Sequence, residues 1–187
     1  MVTERNSSRD ELRITEMRLA RLSVLQELTA AALVLGDVGA SVDEFLQHVS
    51  ERMSFVAVLW IARNSDGCIK LQAAAGLSRR AREQRIECSQ QRLVEVELPY
   101  PELSSDDIDC WSIALHGIDD AHEHCLRFYF VRETHNAPSL GALARRVTEM
   151  FQAAISHRAL FIDLQEGFVA HFADIGAAGA HIPEIGP

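Results

Sequence analysis

The stretch Ser54–Gly76, SFVAVLWIARNSDGCIKLQAAAG, holds two apolar runs, a polar break and a closing glycine. Phe55 to Ala62 is apolar on both alternating faces and rich in Val, Ile, Trp and Phe. It is too short for an isolated helix and reads as a central strand covered on both sides. Asn64 to Gly67, NSDG, supplies turn chemistry, because Asp-Gly tolerates positive φ. Cys68 to Ala75 then returns as a second strand, and Gly76 ends it. The expected unit is an antiparallel hairpin near the centre of a sheet.

Upstream, Arg9 to Leu35 has good helix formers and neither proline nor glycine, which predicts a long helix broken by Gly36 and Gly39. Leu25, Leu28, Ala32 and Leu35 form one apolar stripe, with Leu12, Leu19 and Leu22 on a neighbouring one. Ser41–Glu44, SVDE, is a capping box that opens a second helix, with Phe45, Leu46, Val49 and Met53 inward. Downstream, Leu77 to Gln91 is arginine-rich and weakly helical. Leu93–Leu98, Ile108–Leu115 and Leu126–Val131 read as further strands separated by polar loops. Ser139 is expected to cap a last long helix. Its stripe runs through Leu140, Leu143, Val147, Met150, Ala154, His157, Phe161, Leu164 and Phe168 at alternating spacings of three and four, as in a coiled-coil seam. A second stripe, Phe151, Ile155, Ile162 and Val169, widens that face. The order predicts an α+β fold: an antiparallel sheet of five to six strands flanked by long N- and C-terminal helices.

The 187 residues favour one domain with appendages. Residues 1–40 are expected to be a signalling and dimerisation helix, 41–165 the folded domain, and 166–187 the helix end and a flexible tail. Apolar residues, 48%, suffice for a core, and a net charge of −9 argues against nucleic-acid binding. The basic run RRAREQR, Arg79–Arg85, reads as a solvated face. The polar N-terminus lacks the apolar core of a signal peptide, and no stretch is long enough to span a bilayer. Scattered Cys68, Cys88, Cys110 and Cys125 fit reduced thiols in a cytoplasm.

Three segments in order, SVDEFLQHVSERM, VAVLWIARNSDGCIKLQAAAGLS and LARRVTEMFQAAISHRALFIDLQ, resemble the GAF domain family of small-molecule sensor modules. The first matches the family's helix before the first strand, the second its first hairpin with the Ala-Gly-Leu close. The third matches its terminal helix, with Ala154–Ile155 followed by Leu160–Phe161. The resemblance spans about Ser41 to Gln165. The middle departs from it: family members carry a longer, glycine-rich segment that walls the ligand pocket, whereas only Leu77–Gln91 stands there. The Asn-Lys-X-Phe-Asp-Glu signature of cyclic-nucleotide-binding members and the bilin-loading Cys-His pair are both absent.

Strand aromatics Trp60, Trp111, Phe128 and Phe130 are the candidate ligand-binding residues, against the plainer reading that they fill the core. His116, His122, His124 and Cys125 in HGIDDAHEHC are ligand types for zinc. They lack paired spacing, so a polar hairpin loop is expected, with neither metal nor cofactor. Cys110 with Cys88 suggests thiol-dependent reduction of a small oxidised metabolite, as in a GAF-like family that reduces free methionine sulfoxide. The family motifs around them do not match, and no catalytic residue is assigned. His157 falls on the seam of the last helix.

The function expected is that of a non-catalytic cytoplasmic sensory domain, binding a small molecule or partner protein and passing a signal to an output protein or domain. It is expected to dimerise through Leu25, Leu28, Leu35, Leu143, Val147, Met150, Ala154, His157, Phe161 and Leu164. A thiol reductase and a structural adaptor without ligand are the alternatives.

Overall fold

A computed structural model describes residues 2–36, 41–119, 121–132 and 137–179; within these, the side chains of 2–14, 17, 18, 21, 137–139, 161 and 163–179 lie outside the description. The chain runs α1 (Val2–Leu35), α2 (Val42–Met53), β1 (Ala57–Asn64), β2 (Ile69–Ala75), a single turn α3 (Arg79–Arg82), a 3-10 turn (Pro101–Leu103), β3 (Ile108–Leu115), β4 (His122–Val131) and α4 (Ala137–Gly179). The protein is α+β. Its sheet has the order β2-β1-β4-β3, with every neighbouring pair antiparallel.

The hairpin forms as its residues dictate. Gly67 takes φ +81 in the turn, and Asn64 Oδ1 accepts from the Cys68 amide at 2.8 Å. β1 and β4 are the inner strands, so their runs are apolar on both faces. Ser41 caps α2 by accepting from the Glu44 amide at 3.3 Å. Its end is a left-handed Ser54, where the Ser50 hydroxyl donates to the Phe55 carbonyl at 2.9 Å.

Each face of the sheet has its own cover. Val58, Leu126, Phe128 and Phe130 face the helices and pack with Leu28 and Leu35 of α1, Leu46 and Val49 of α2, and Val147 and Phe151 of α4. On the other face, Leu59, Ala74 and Tyr129 meet Leu77, Tyr100 and Leu103, while Ile61 and Cys125 meet Ile86, Leu93 and Val96. The connection between β2 and β3 is therefore the second layer.

That layer corrects the strand count. Among the described residues the sheet has four strands, not five or six, and Leu93–Leu98 is not one of them. The Glu95 amide donates to the Arg92 carbonyl at 2.8 Å, closing a turn that points both Leu93 and Val96 inward. Buried Arg127 pins the turn, its Nη2 donating to the Leu93 carbonyl at 2.7 Å. Alternation in this segment thus reflects one buried side of a loop layer. β4, in contrast, starts at His122, earlier than the expected Leu126, because its first residues pair with Ala62–Asn64 and Leu115.

Candidate functional site

The early start of β4 places two histidines two residues apart on a strand, hence on one face. The turn before it folds an aspartate back onto them. Gly117 allows the reversal with φ +66. Asp119 Oδ1 then accepts from the amides of Ala121 at 2.9 Å and His122 at 2.7 Å, an Asx-type closure. The same carboxylate reaches both rings: Oδ1 lies 3.1 Å from His122 Nδ1 and Oδ2 lies 2.9 Å from His124 Nε2. One donor atom from each of the three residues lies within 4.8 Å of the others.

The trio spans a gradient of burial. His124 is 7% exposed and packs its ring 5.7 Å from that of Trp60, whereas the Asp119 and His122 side chains are about half exposed. Burial acts to raise the Asp119 carboxyl, but the hydrogen bonds from His124 and His122 outweigh it and hold the group at about 2. The site opens into a cleft of about 480 Å³, also lined by Arg63, Leu93, His116 and Ile118. Arg63 is held there by Glu123 at 2.6 Å and by the Ser89 and Gln91 carbonyls.

The turn is also fastened to α4. The His116 amide donates to Gln152 Oε1 at 3.3 Å, and the Ser156 hydroxyl donates to the Gly117 carbonyl at 3.1 Å. Sequence reading found His116, His122 and His124 but not Asp119 as their partner. The Asp-x-x-His-x-His spacing was the available signal, legible only once 122–124 is known to be strand.

None of the aromatic quartet lines the 480 Å³ cleft. Phe128 and Phe130 are buried, Phe128 against Phe55 at 5.1 Å and Phe130 against Trp111 at 4.2 Å, and Trp60 meets the edge of Phe151 at 5.3 Å. All four belong to the cluster on the helix side of the sheet, Phe128 and Phe130 buried and Trp60 and Trp111 half-buried.

Part of the expected dimer ridge is buried within one subunit. Leu28, Leu35 and Val147 are fully buried and Ala154 nearly so, while Leu25, Leu143 and Met150 are half-buried. The Thr29 hydroxyl contacts Met150 Sδ at 3.3 Å between α1 and α4. Stripe spacing marks a buried face without saying whose surface buries it, and here α1 and α4 bury each other. His157 is exposed beside Gly36; the side chains of Phe161 and Leu164 lie outside the described residues. Among the described residues the large exposed apolar side chains are instead Leu19, Leu22, Leu33, Val34, Val131 and Leu160.

The structure does not bring together Cys88 and Cys110, the pair of the reductase alternative. Cys88 Sγ lies 2.8 Å from Cys68 Sγ, at the turn end of the hairpin. Cys110 is on β3, opposite Tyr129, at the far edge of the sheet from β2. Cys110 is exposed as a residue, yet desolvation of its thiol pushes the pKa up against the pull of Ser112 and Arg127. A thiol prepared for nucleophilic attack is shifted the other way.

Compared with known proteins, the chain matches no protein-family profile and no curated protein. The described helices include none long and apolar enough to cross a membrane.

Proposed function

We propose that the chain is a non-catalytic, GAF-like sensory domain that works as a homodimer, receives its input at the β3–β4 turn and passes it along α4 to an output protein. The observation that carries this reading is the pair of hydrogen bonds that tie the turn to α4, one accepted by Gln152 from the His116 amide and one donated by Ser156 to the Gly117 carbonyl. A group that alters the turn thereby biases the position of a 43-residue helix. The three segments that resemble the family supply α2, the β1–β2 hairpin and α4, packed together around one core. The layer formed by residues 77–103 fills the sheet face where a family ligand would be walled in, which favours the turn as the input.

The occupant proposed for the free helix surface is a second copy. α1 has 34 residues and so runs about 51 Å, whereas an eight-residue strand such as β1 covers about 27 Å. Among its described side chains Leu28 is the first that is fully buried, and Leu19 and Leu22 are 61% and 62% exposed. A helix of this kind gains its stability from packing an apolar face, and a twin presents the matching row. Light scattering on the eluting full chain tests this: wild type is expected at twice the chain mass, and Leu19→Glu with Leu22→Glu at the chain mass. Identical monomeric masses would remove the dimer.

A further inference from the structure

We propose that Asp119, His122 and His124 bind a divalent transition-metal ion of the zinc class, leaving one coordination position open to the cleft. Two imidazole nitrogens and a carboxylate oxygen are a donor set that zinc takes in open sites, and they suit calcium or magnesium poorly. The two contacts to the carboxylate fit, and the three donor atoms together, within 4.8 Å of one another, need only small side-chain rotations to close on an ion. Bonds of about 2.0–2.1 Å in a tetrahedral shell put neighbouring donors about 3.3 Å apart. The His122 Nδ1–Asp119 and His124 Nε2–Asp119 contacts are 3.1 and 2.9 Å. Slight widening admits an ion in place of the protons that the carboxylate now shares with the rings.

The donors are also held in place before any ion arrives. His124 is 7% exposed, its ring against Trp60 and its Nε2 directed at Asp119. Among the described residues its buried Nδ1 has no hydrogen-bond partner, so the ring is held by packing and by Asp119. Asp119 is fixed by two backbone amides, the kind of outer support that orients a ligating carboxylate. One negative charge with two neutral imidazoles leaves an ion of charge +2 partly uncompensated, which favours an anionic or water ligand from the 480 Å³ cleft. The site stands whether or not the chain dimerises.

The test uses the full chain, stripped with a chelator and titrated with Zn²⁺ by calorimetry and with Co²⁺ by visible absorption. The expected result is one ion per chain and a Co²⁺ d–d spectrum without thiolate charge-transfer bands. His122→Ala and Asp119→Asn are each expected to weaken binding at least about tenfold. Cys68→Ser with Cys88→Ser is expected to leave the titration unchanged. Absence of a bound equivalent in the wild type overturns the proposal, as does undiminished binding in His122→Ala, or loss of binding in the cysteine variant alone. His122 is a half-exposed side chain, so its variant keeps the fold, with far-UV circular dichroism as the check.

Discussion

At the scale of single residues, two glycines with the same sign of φ carry different loads. A Cβ on Gly76 would lie 2.1 Å from the Val56 carbonyl oxygen and 2.8 Å from Ala57 Cα, at φ +77. Gly117, at φ +66, has nothing within 4 Å. Gly76→Ala is therefore expected to cost at least about 2 kcal/mol in urea unfolding, and Gly117→Ala about 1 kcal/mol from backbone strain alone. Equal losses would mean that the close approach of β1 to Gly76 is relieved cheaply. Buried acids set a second expectation. Burial raises Cys125 to about 11 and Tyr129 to about 12, from ordinary values of 9.0 and 10.0. The folded state then keeps protons that the unfolded chain releases, so stability is complete below pH 9 and falls between about pH 9 and 12. Each group contributes on the order of 2–3 kcal/mol to that fall. Urea midpoints across this range check it, and Tyr129→Phe is expected to flatten the decline above pH 10.

At the scale of elements, one of the contacts between the β1–β2 hairpin and the loop after α3 brings together two residues that no spacing in the sequence announces. The Ser89 amide donates to the Gly67 carbonyl at 3.0 Å, and this brings Cys68 and Cys88 together. Glutathione disulfide is expected to convert the two thiols to a Cys68–Cys88 disulfide, the two hydrogens leaving on two molecules of glutathione. Closing a 20-residue separation would stabilise the fold by about 3 kcal/mol if the geometry is unstrained. Non-reducing peptide mapping reads the product; glutathione retained on Cys110, with Cys68 and Cys88 both free, would refute it. The hairpin itself was legible, because an apolar run, Asp-Gly and a second run leave little choice. Leu93–Leu98 was not, since a loop with one buried side alternates much as an edge strand does. Nor was the start of β4: His122 to Cys125 are held as strand by pairing with β1 and β3, which local propensity does not record.

At the scale of the molecule, helices on one face and a loop layer on the other leave the β3–β4 end of the sheet as the place where polar groups converge. The aromatics and the buried part of the seam, Leu28, Leu35, Val147 and Ala154, pack in the core of one subunit, while Asp119, His122, Leu19 and Leu22 are exposed. A dimer contact through α1 is proposed at exposed Leu19 and Leu22, since Leu28 and Val147 are fully buried within the subunit, and the solution mass of the full chain is its test. Sequence alone determined the α+β class, the antiparallel hairpin and the capped α2, because each follows from local periodicity, turn chemistry or a side chain three residues from its amide. Tertiary structure alone decided which face each stripe is buried against and that Asp119 closes on His122 and His124. Those outcomes depend on which strands pair and which layers stack, choices that a one-dimensional pattern constrains without selecting.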